Sequence, residues 1–383
     1  MVSLAPSMIT DALAVIAIGY VLVADWRLRR FRGHVAGDGA FAPPATVLKP
    51  LCGGEPLLEE TLRSFFAQDY PDYEIVFGVR DPDDPARAVV ERLMAEFPAR
   101  RARLVTDPRV RGANPKVSNL LNMLEAARHD VLVLADSDIL VSPDYLARVV
   151  APLADRRVGA VTCLYRARPA VRGFGARLAC LHINHWFLPG VIVAREAGHT
   201  GFCMGSTIAL RRDALEAIGG LNALKDTLAD DHRIGRMLAD RGYRVVLSGC
   251  VVETVIAETD VRSVLRRELR WARTIRSVQP AAYAASSLQF TMSVCLIAAA
   301  SLALTDGDLV QAGAIVAAGA GARYMLHRNV KKRLRVVGAN AGTVAVRDLL
   351  SFAIWAASFF GRDVVWRERL LTVDRSGNLM TKG

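Results

Sequence analysis

The stretch Val131-Leu-Val-Leu-Ala-Asp-Ser-Asp138 runs through aliphatic residues and ends in two carboxylates one residue apart. Side chains alternate with period two in extended chain, so Asp136 and Asp138 project to the same side. Two hard oxygen donors on one side suit Mg²⁺ or Mn²⁺, which keeps open positions for phosphate oxygens. The other reading of Asp-X-Asp is a solvated loop in which Asp138 makes a local turn, and the pattern alone does not choose. Three more groups carry charge suited to chemistry: Asp81 in an acidic turn, the pair Asp230-Asp231, and Arg267-Glu-Leu-Arg270-Trp271. Arg267 and Arg270 stand three apart, on one face of a helix, and a guanidinium grips phosphate with a planar fork.

Strand and helix signals alternate around these residues, as in an α/β chain with a parallel sheet covered on both faces. Strands are expected at Thr46 to Lys49, Glu74 to Val79, Ala102 to Val105, Val131 to Ala135, Val158 to Cys163, Thr207 to Leu210, Tyr243 to Leu247 and Val251 to Ile256. Helices are expected between them. Asp84 before Pro85, and Ser142 before Pro143, give cap-plus-proline starts. Ligands of such sheets bind at the carboxyl ends of strands, where both Asp81 and the Asp136/Asp138 pair lie.

The chain of 383 residues is 52% hydrophobic with a formal net charge of +11, an apolar composition that prompts a search for membrane segments. Residues 8 to 26 are mostly apolar and are followed at once by Arg27, Arg29, Arg30 and Arg32, so an uncleaved anchor over 1–26 is expected with its carboxyl end in the cytoplasm. A basic linker covers 27–44, and a cytoplasmic domain 45–260. Val261 to Val278 places Val261, Leu265, Leu269 and Ala272 on one side and arginines on the other, as an interfacial amphipathic helix over 261–280 requires. The remainder, 281–383, is expected to be membranous. Ser286 to Thr305 spans, Leu309 to Leu326 spans back to a basic cytoplasmic end, and Leu349 to Phe360 is too short for more than a re-entrant or interfacial helix. Because the arginines lie beside apolar segments, the excess charge points to the anionic face of a lipid bilayer and not to nucleic acid. Six scattered cysteines without a Cys-X-X-Cys spacing fit a reducing compartment and no zinc site.

Arg80-Asp-Pro-Asp-Asp-Pro-Ala86, Asn114-Pro-Lys-Val-Ser-Asn119, Ala135-Asp-Ser-Asp138, Phe202-Cys-Met-Gly-Ser206, Leu228-Ala-Asp-Asp231 and the Arg-X-X-Arg-Trp ending at Trp271 occur in this order. Together they resemble the ceramide glucosyltransferases and the related bacterial hopanoid-modifying glycosyltransferases. The resemblance implies a GT-A type nucleotide-sugar-binding domain, an α/β fold with a mixed, mostly parallel sheet, between an N-terminal transmembrane anchor and C-terminal membrane helices. It further implies a multi-pass protein of the bacterial inner membrane that moves glucose or N-acetylglucosamine, with inversion, from a UDP-sugar donor to a lipid hydroxyl of ceramide or of bacteriohopanetetrol. By position, Asp81 contacts the nucleotide, Asp136 and Asp138 hold Mg²⁺ or Mn²⁺, and Asp231 is the general base. Arg267, Arg270 and Trp271 close over the diphosphate. Eukaryotic ceramide enzymes tend to carry glycine where this chain has Asp138, a departure that strengthens metal binding and leaves the lipid open.

Each role has a plainer counterpart. Asp230 and Asp231 cap the following helix in one reading, Asp83 and Asp84 serve as turn and cap, and Lys116 is either a diphosphate ligand or a surface residue at a helix start. Arg262, Arg266, Arg273 and Arg276 are assigned to anionic lipid, and His185 to a satisfied interfacial hydrogen bond. A processive polysaccharide synthase needs more spans than this chain offers. An inactive, membrane-anchored nucleotide-sugar-binding protein is at odds with three intact acidic groups.

Overall fold

A computed structural model describes residues 6–33, 41–336, 340–361, 363–366, 369–373 and 379–381. The chain divides into two compact units: one comprises Arg32–Val171, Gly198–Ala257 and Leu370–Gly383, the other Met1–Phe31, Arg172–Ala197 and Glu258–Arg369.

The first unit is built on an eight-stranded sheet. Its strands are β1 (Ala45–Pro50), β2 (Tyr73–Val79), β3 (Arg101–Thr106), β4 (Val131–Leu134), β5 (Ile139–Leu140), β6 (Val158–Pro169), β7 (Ile208–Arg211) and β8 (Arg244–Ile256), in the order β3-β2-β1-β4-β7-β6-β8-β5. Strands β3, β2, β1 and β4 are parallel, as is β6 with β8. Strand β7 runs antiparallel to both β4 and β6, so the sheet is mixed.

Alternation along the strands sorts side chains to two cores. Val47, Ile75, Phe77 and Val133 join Phe65, Phe66 and Tyr145 on one face, while Leu48, Val76, Leu132 and Leu134 join Leu120, Leu210 and Ile234 on the other. Strands β1, β2 and β4 are buried throughout, as strands covered on both faces are. The charged β3 takes an edge. The two strands expected on either side of Ser248-Gly-Cys250 are one strand, β8. Its register with β6 shifts between Thr162 and Leu164, where Ser248, Gly249 and Cys250 stand opposite Cys163 alone and the two extra residues form an irregularity in the ladder.

The second unit is mostly helical, with one strand at Asp363–Trp366. Among the described residues two helices are long and apolar enough to cross a membrane, Ser7–Arg30 and Leu309–Leu334, or three spans if the bent pair Pro280–Gln289 and Thr291–Thr305 counts as one. That pair bends by 74°, where a straight span was expected. The helix Thr291–Thr305 has 15 residues, about 22 Å at 1.5 Å per residue, short of the roughly 30 Å hydrocarbon core.

The apolar stretch after Phe174 is also broken, into Phe174–His182, a π-helical turn Ile183–Phe187, and Leu188–Glu196. Pro189 supplies no N–H to the turn before it, which favours this irregularity. The last helix, Ala341–Ser358, is 18 residues long and begins earlier than the apolar run suggests. Its amino-terminal half carries Arg347 and Asp348, both fully buried, which hydropathy alone assigns to water.

Two buried ion pairs explain this. Arg347 binds Glu268, and Arg323 binds Asp348 at 3.2 Å. Glu268 lies on the helix Val261–Val278, whose amino terminus is capped by Asp260 accepting the Ser263 N–H at 2.9 Å. The buried side chains of this helix are Val264, Glu268 and Ala272, so its inward face is rotated from the stripe read in the sequence and passes through the acid between the two motif arginines.

Candidate active site

The candidate site lies in the sheet unit, where three loops converge. The first follows β4 and carries Asp136 and Asp138. The second enters the helix Pro115–Leu124, whose cap is Asn114: its Oδ1 accepts the Lys116 and Val117 N–H groups at 2.9 and 3.1 Å. The third runs from Phe202 to β7 and then to the helix Asp230–Asp240. Asn114 ties the second loop to the start of that helix by donating from Nδ2 to the Thr227 carbonyl at 2.7 Å.

Lys116 is at the centre. Its ammonium is 2.6 Å from Asp136 Oδ1 and 3.6 Å from Asp230 Oδ2, and its side chain is only 22% exposed. Burial opposes the charge, but the carboxylates of Asp136, Asp230 and Asp231 outweigh it and raise the ammonium pKa. Lys116 is thus not a surface residue, and without a ligand it bridges acids from two loops. Asp230 is buried and turned to Lys116, and no side chain caps the helix it opens. Burial, with the charges of Asp231 and Asp136, pushes its carboxyl up to about 6 against the pull of Lys116.

Asp231 is half-buried. Its Oδ2 accepts the Gly205 N–H at 2.8 Å and its Oδ1 the His232 N–H at 2.7 Å. Burial raises its pKa, opposed by Lys116 and these backbone donors. A Cβ at Gly205 would stand 3.1 Å from Asp136 Oδ2, 3.3 Å from Lys116 Nζ and 3.4 Å from Asp231 Oδ2. Glycine thus keeps open the point on which the three charged groups converge.

Asp138 takes a separate partner, Thr254 of β8, whose hydroxyl donates to Oδ2 at 2.6 Å. Burial first, and the charge of Asp136 second, push its carboxyl up to about 6. Among the described residues no group of three or more His, Cys, Asp or Glu is arranged to hold a metal ion. The Asp136/Asp138 pair nevertheless fits a hard divalent cation completed by phosphate and water oxygens, because the donors are carboxylates and their mutual repulsion is what such a charge relieves.

Asp81 is exposed at the carboxyl end of β2, its Oδ1 accepting the Asp83 N–H at 2.9 Å. Asp84 serves as a turn residue, the N-cap of the next helix being Pro85: its carboxylate accepts the Ala86 N–H at 2.9 Å and the Gly53 N–H at 2.9 Å, pinning the loops after β2 and β1 together. Arg267, Arg270 and Trp271 belong to the helical unit. There Arg267 pairs with Glu258, and its guanidinium lies 4.8 Å from the Trp271 ring centre. Two arginines assigned to lipid hold backbone instead, Arg273 to the Phe360 carbonyl at 2.7 Å and Arg276 to that of Gly361 at 2.8 Å.

Sequence reasoning passed over Lys49. This fully buried lysine at the end of β1 donates to the Asp136 carbonyl and lies 4.0 Å from the Phe65 ring centre. Burial pushes its pKa down to about 7, although Asp138, Asp136 and Glu55 act the other way. The signal was present: a cation inside a buried strand needs a partner at the strand's end.

The sequence matches the family model described as Glycosyl transferase family 21 over residues 9–379. Ceramide glucosyltransferase 3 of Caenorhabditis elegans is 27% identical over 291 residues, 75% of this chain and 61% of that protein. Ceramide glucosyltransferase 1 of the same organism is 25% identical over 77% of this chain and 63% of its own. The chain therefore spans about three fifths of the length of these relatives. An N-acetylglucosaminyltransferase of Rhizobium leguminosarum bv. viciae is 23% identical over 61% of this chain and 55% of that protein. Among solved structures, a mannosyltransferase from Pyrobaculum calidifontis in complex with GDP-Man and Mn²⁺ superposes with a TM-score of 0.51 at 24% identity, covering 92% of this chain and 99% of that one. The fold is that of the GT-A glycosyltransferases.

Proposed function

Because the chain belongs to glycosyl transferase family 21, we propose that it is a membrane-bound inverting glycosyltransferase moving glucose or N-acetylglucosamine from a UDP-sugar to a hydroxyl of a membrane lipid, ceramide or a hopanoid such as bacteriohopanetetrol. The observation that carries this reading is the convergence of Asp136, Lys116 and Asp231 on the space kept open by Gly205. In the reaction, the acceptor oxygen forms a bond to the anomeric carbon as the bond from that carbon to the diphosphate breaks. The hydroxyl proton passes to the Asp231 carboxylate, whose half-buried position and two fixed backbone donors hold it in place.

Charge develops on the departing diphosphate, and cationic groups stabilise it where it develops. Lys116 is one such group: held by Asp136 in the free protein, it exchanges a carboxylate for a phosphate oxygen. Asp136 and Asp138 would hold Mg²⁺ or Mn²⁺, which supplies neutralisation of the diphosphate. Lys49 fixes the backbone of that loop through the Asp136 carbonyl. Asp81 contacts the nucleotide.

A lipid acceptor is supported by the ceramide glucosyltransferases among the relatives and by two helices able to cross a bilayer. The rhizobial relative keeps N-acetylglucosamine beside glucose as the sugar. Arg27, Arg29 and Arg30 end the first of these helices and Lys331, Lys332 and Arg333 the second, which favours a cytoplasmic active site on the bacterial inner membrane. The test is to incubate the protein in membranes with labelled UDP-glucose or UDP-N-acetylglucosamine, each with ceramide or bacteriohopanetetrol, and to identify the product. A glycolipid that requires Mg²⁺ or Mn²⁺ is expected. A polymer, or no product from any of the four pairs, overturns the reading, and full activity in excess chelator removes the metal.

A further inference from the structure

The helical unit contains a cleft with a buried cation in its wall. The bent helix pair leaves its ends exposed to hydrogen-bond loss: Gln289 closes the first half, and Thr291 opens the second. Arg323 donates from Nη2 to the Gln289 carbonyl at 2.6 Å. Asp348 accepts the Ser293 N–H and hydroxyl, each at 3.0 Å. A cation thus meets the carbonyl end of one half-helix, an anion meets the N–H end of the other, and the two ions pair, which is the arrangement helix dipoles favour. Arg323 also donates from Nη1 to the His185 carbonyl at 3.3 Å, four residues before Pro189, where a helical N–H partner is missing.

Beside this node is a cleft of about 200 Å³ lined by Met292, Ala320, Arg323, Tyr324, His327, Val344 and Ala345. Arg323 and His327 are nearly inaccessible, whereas Tyr324 is 56% exposed and Ala320 is exposed, so the mouth lies on the outer face of the helix Leu309–Leu334 and the polar wall lies inside. A guanidinium has five N–H groups. Among the described residues four of those on Arg323 have acceptors: two go to Asp348, one to Gln289 and one to His185.

From these observations we infer that the cleft is a binding site for an uncharged, hydroxyl- or amide-bearing membrane lipid, which presents an oxygen to the remaining Arg323 N–H and lays chain carbons against Met292, Ala320, Val344 and Ala345. The charge of Arg323 is already matched by Asp348, so the site has no demand for an anionic headgroup. Its depth agrees. Arg323 precedes Lys331 by eight residues, about 12 Å along the helix, where the polar part of a lipid meets its chains when the basic end lies at the surface. The class is that of the proposed acceptor, and to that extent the inference rests on the proposed function. The binding itself needs neither donor nor turnover.

The test uses the full chain in phosphatidylcholine nanodiscs without UDP-sugar, measuring retention of labelled ceramide. Ala320→Phe and the smaller Ala345→Leu fill the cleft, and Leu304→Phe on an exposed position elsewhere is the control. Retention is expected to fall at least tenfold in either cleft variant and to be unchanged in the control. On the unmodified protein, unlabelled ceramide should displace the label, and phosphatidylglycerol should not. Unchanged retention in the folded cleft variants, or equal displacement by phosphatidylglycerol, overturns the site. Intact binding with no transfer to any lipid refutes the enzymatic reading and leaves the site standing.

Discussion

Replacing Asp231 by asparagine separates folding from chemistry. Each carboxylate oxygen of Asp231 accepts one backbone N–H, from Gly205 at 2.8 Å and from His232 at 2.7 Å. Asparagine keeps one acceptor oxygen and turns an NH₂ toward the other donor. One backbone N–H is then left without its partner, at about 1–3 kcal/mol. A protein with the usual 5–15 kcal/mol of stability remains folded after that loss. The acceptor's proton, however, has lost its base, a group worth about 10²- to 10⁴-fold in rate, or about 2.7–5.4 kcal/mol at 1.36 kcal/mol per decade. Asp136, Asp138 and Lys116 are untouched, so donor affinity should stay within about threefold of the parent, a margin below 1 kcal/mol. The assay pairs calorimetric titration of UDP-sugar in the presence of Mn²⁺ with turnover of labelled sugar onto lipid. Transfer within tenfold of the parent refutes the assignment of the base. A loss of donor affinity matching the loss of turnover instead makes Asp231 a donor ligand.

Gly205→Ala should fold normally yet lower kcat/KM by about 10- to 100-fold, or 1.4–2.7 kcal/mol, because its methyl group would lie 3.1 to 3.4 Å from Asp136, Lys116 and Asp231. Steady-state kinetics beside a thermal melt would show this, and unaltered kinetics would mean that the open point is not where substrate sits. Arg347→Met leaves the buried Glu268 carboxylate without its cation and should cost about 3–5 kcal/mol, whereas Arg347→Met with Glu268→Met should melt near the parent. Unfolding in detergent distinguishes them, and equal melts for the single and double variants would remove the ion pair from the account. Burial holds the Asp231 carboxyl above its usual range, so the base is present above that raised pKa and is lost as pH falls through it, sooner than for an ordinary aspartate near 3.9. The acidic limb of the kcat/KM profile should therefore lie above that of an ordinary aspartate, and a limb at or below it would contradict the burial argument.

Much of the sheet unit was legible in the order of residues because its determinants are local. Buried aliphatic strands, proline-marked helix starts and an acidic pair at a strand end are short-range signals, and they located β1 to β4 and the loop of Asp136 and Asp138. The antiparallel entry of β7 and the union of two expected strands in β8 were not legible, since pairing direction and bulges are set by neighbours distant in sequence. The same limit applied to charged residues. Lys49, Arg323, Arg347 and Asp348 read as solvent-facing by type and are buried because partners far along the chain neutralise them.

For this protein, then, composition and spacing alone determined an α/β domain between apolar segments and nominated its acids. Only the tertiary structure decided that Lys116 sits among three of those acids, that Gly205 opens the space between them, and that a helix break is closed by Arg323 and Asp348. The physical reason is range. Backbone propensity and hydropathy act over a few residues, whereas burying a charge is decided by whatever opposite charge the completed fold brings beside it.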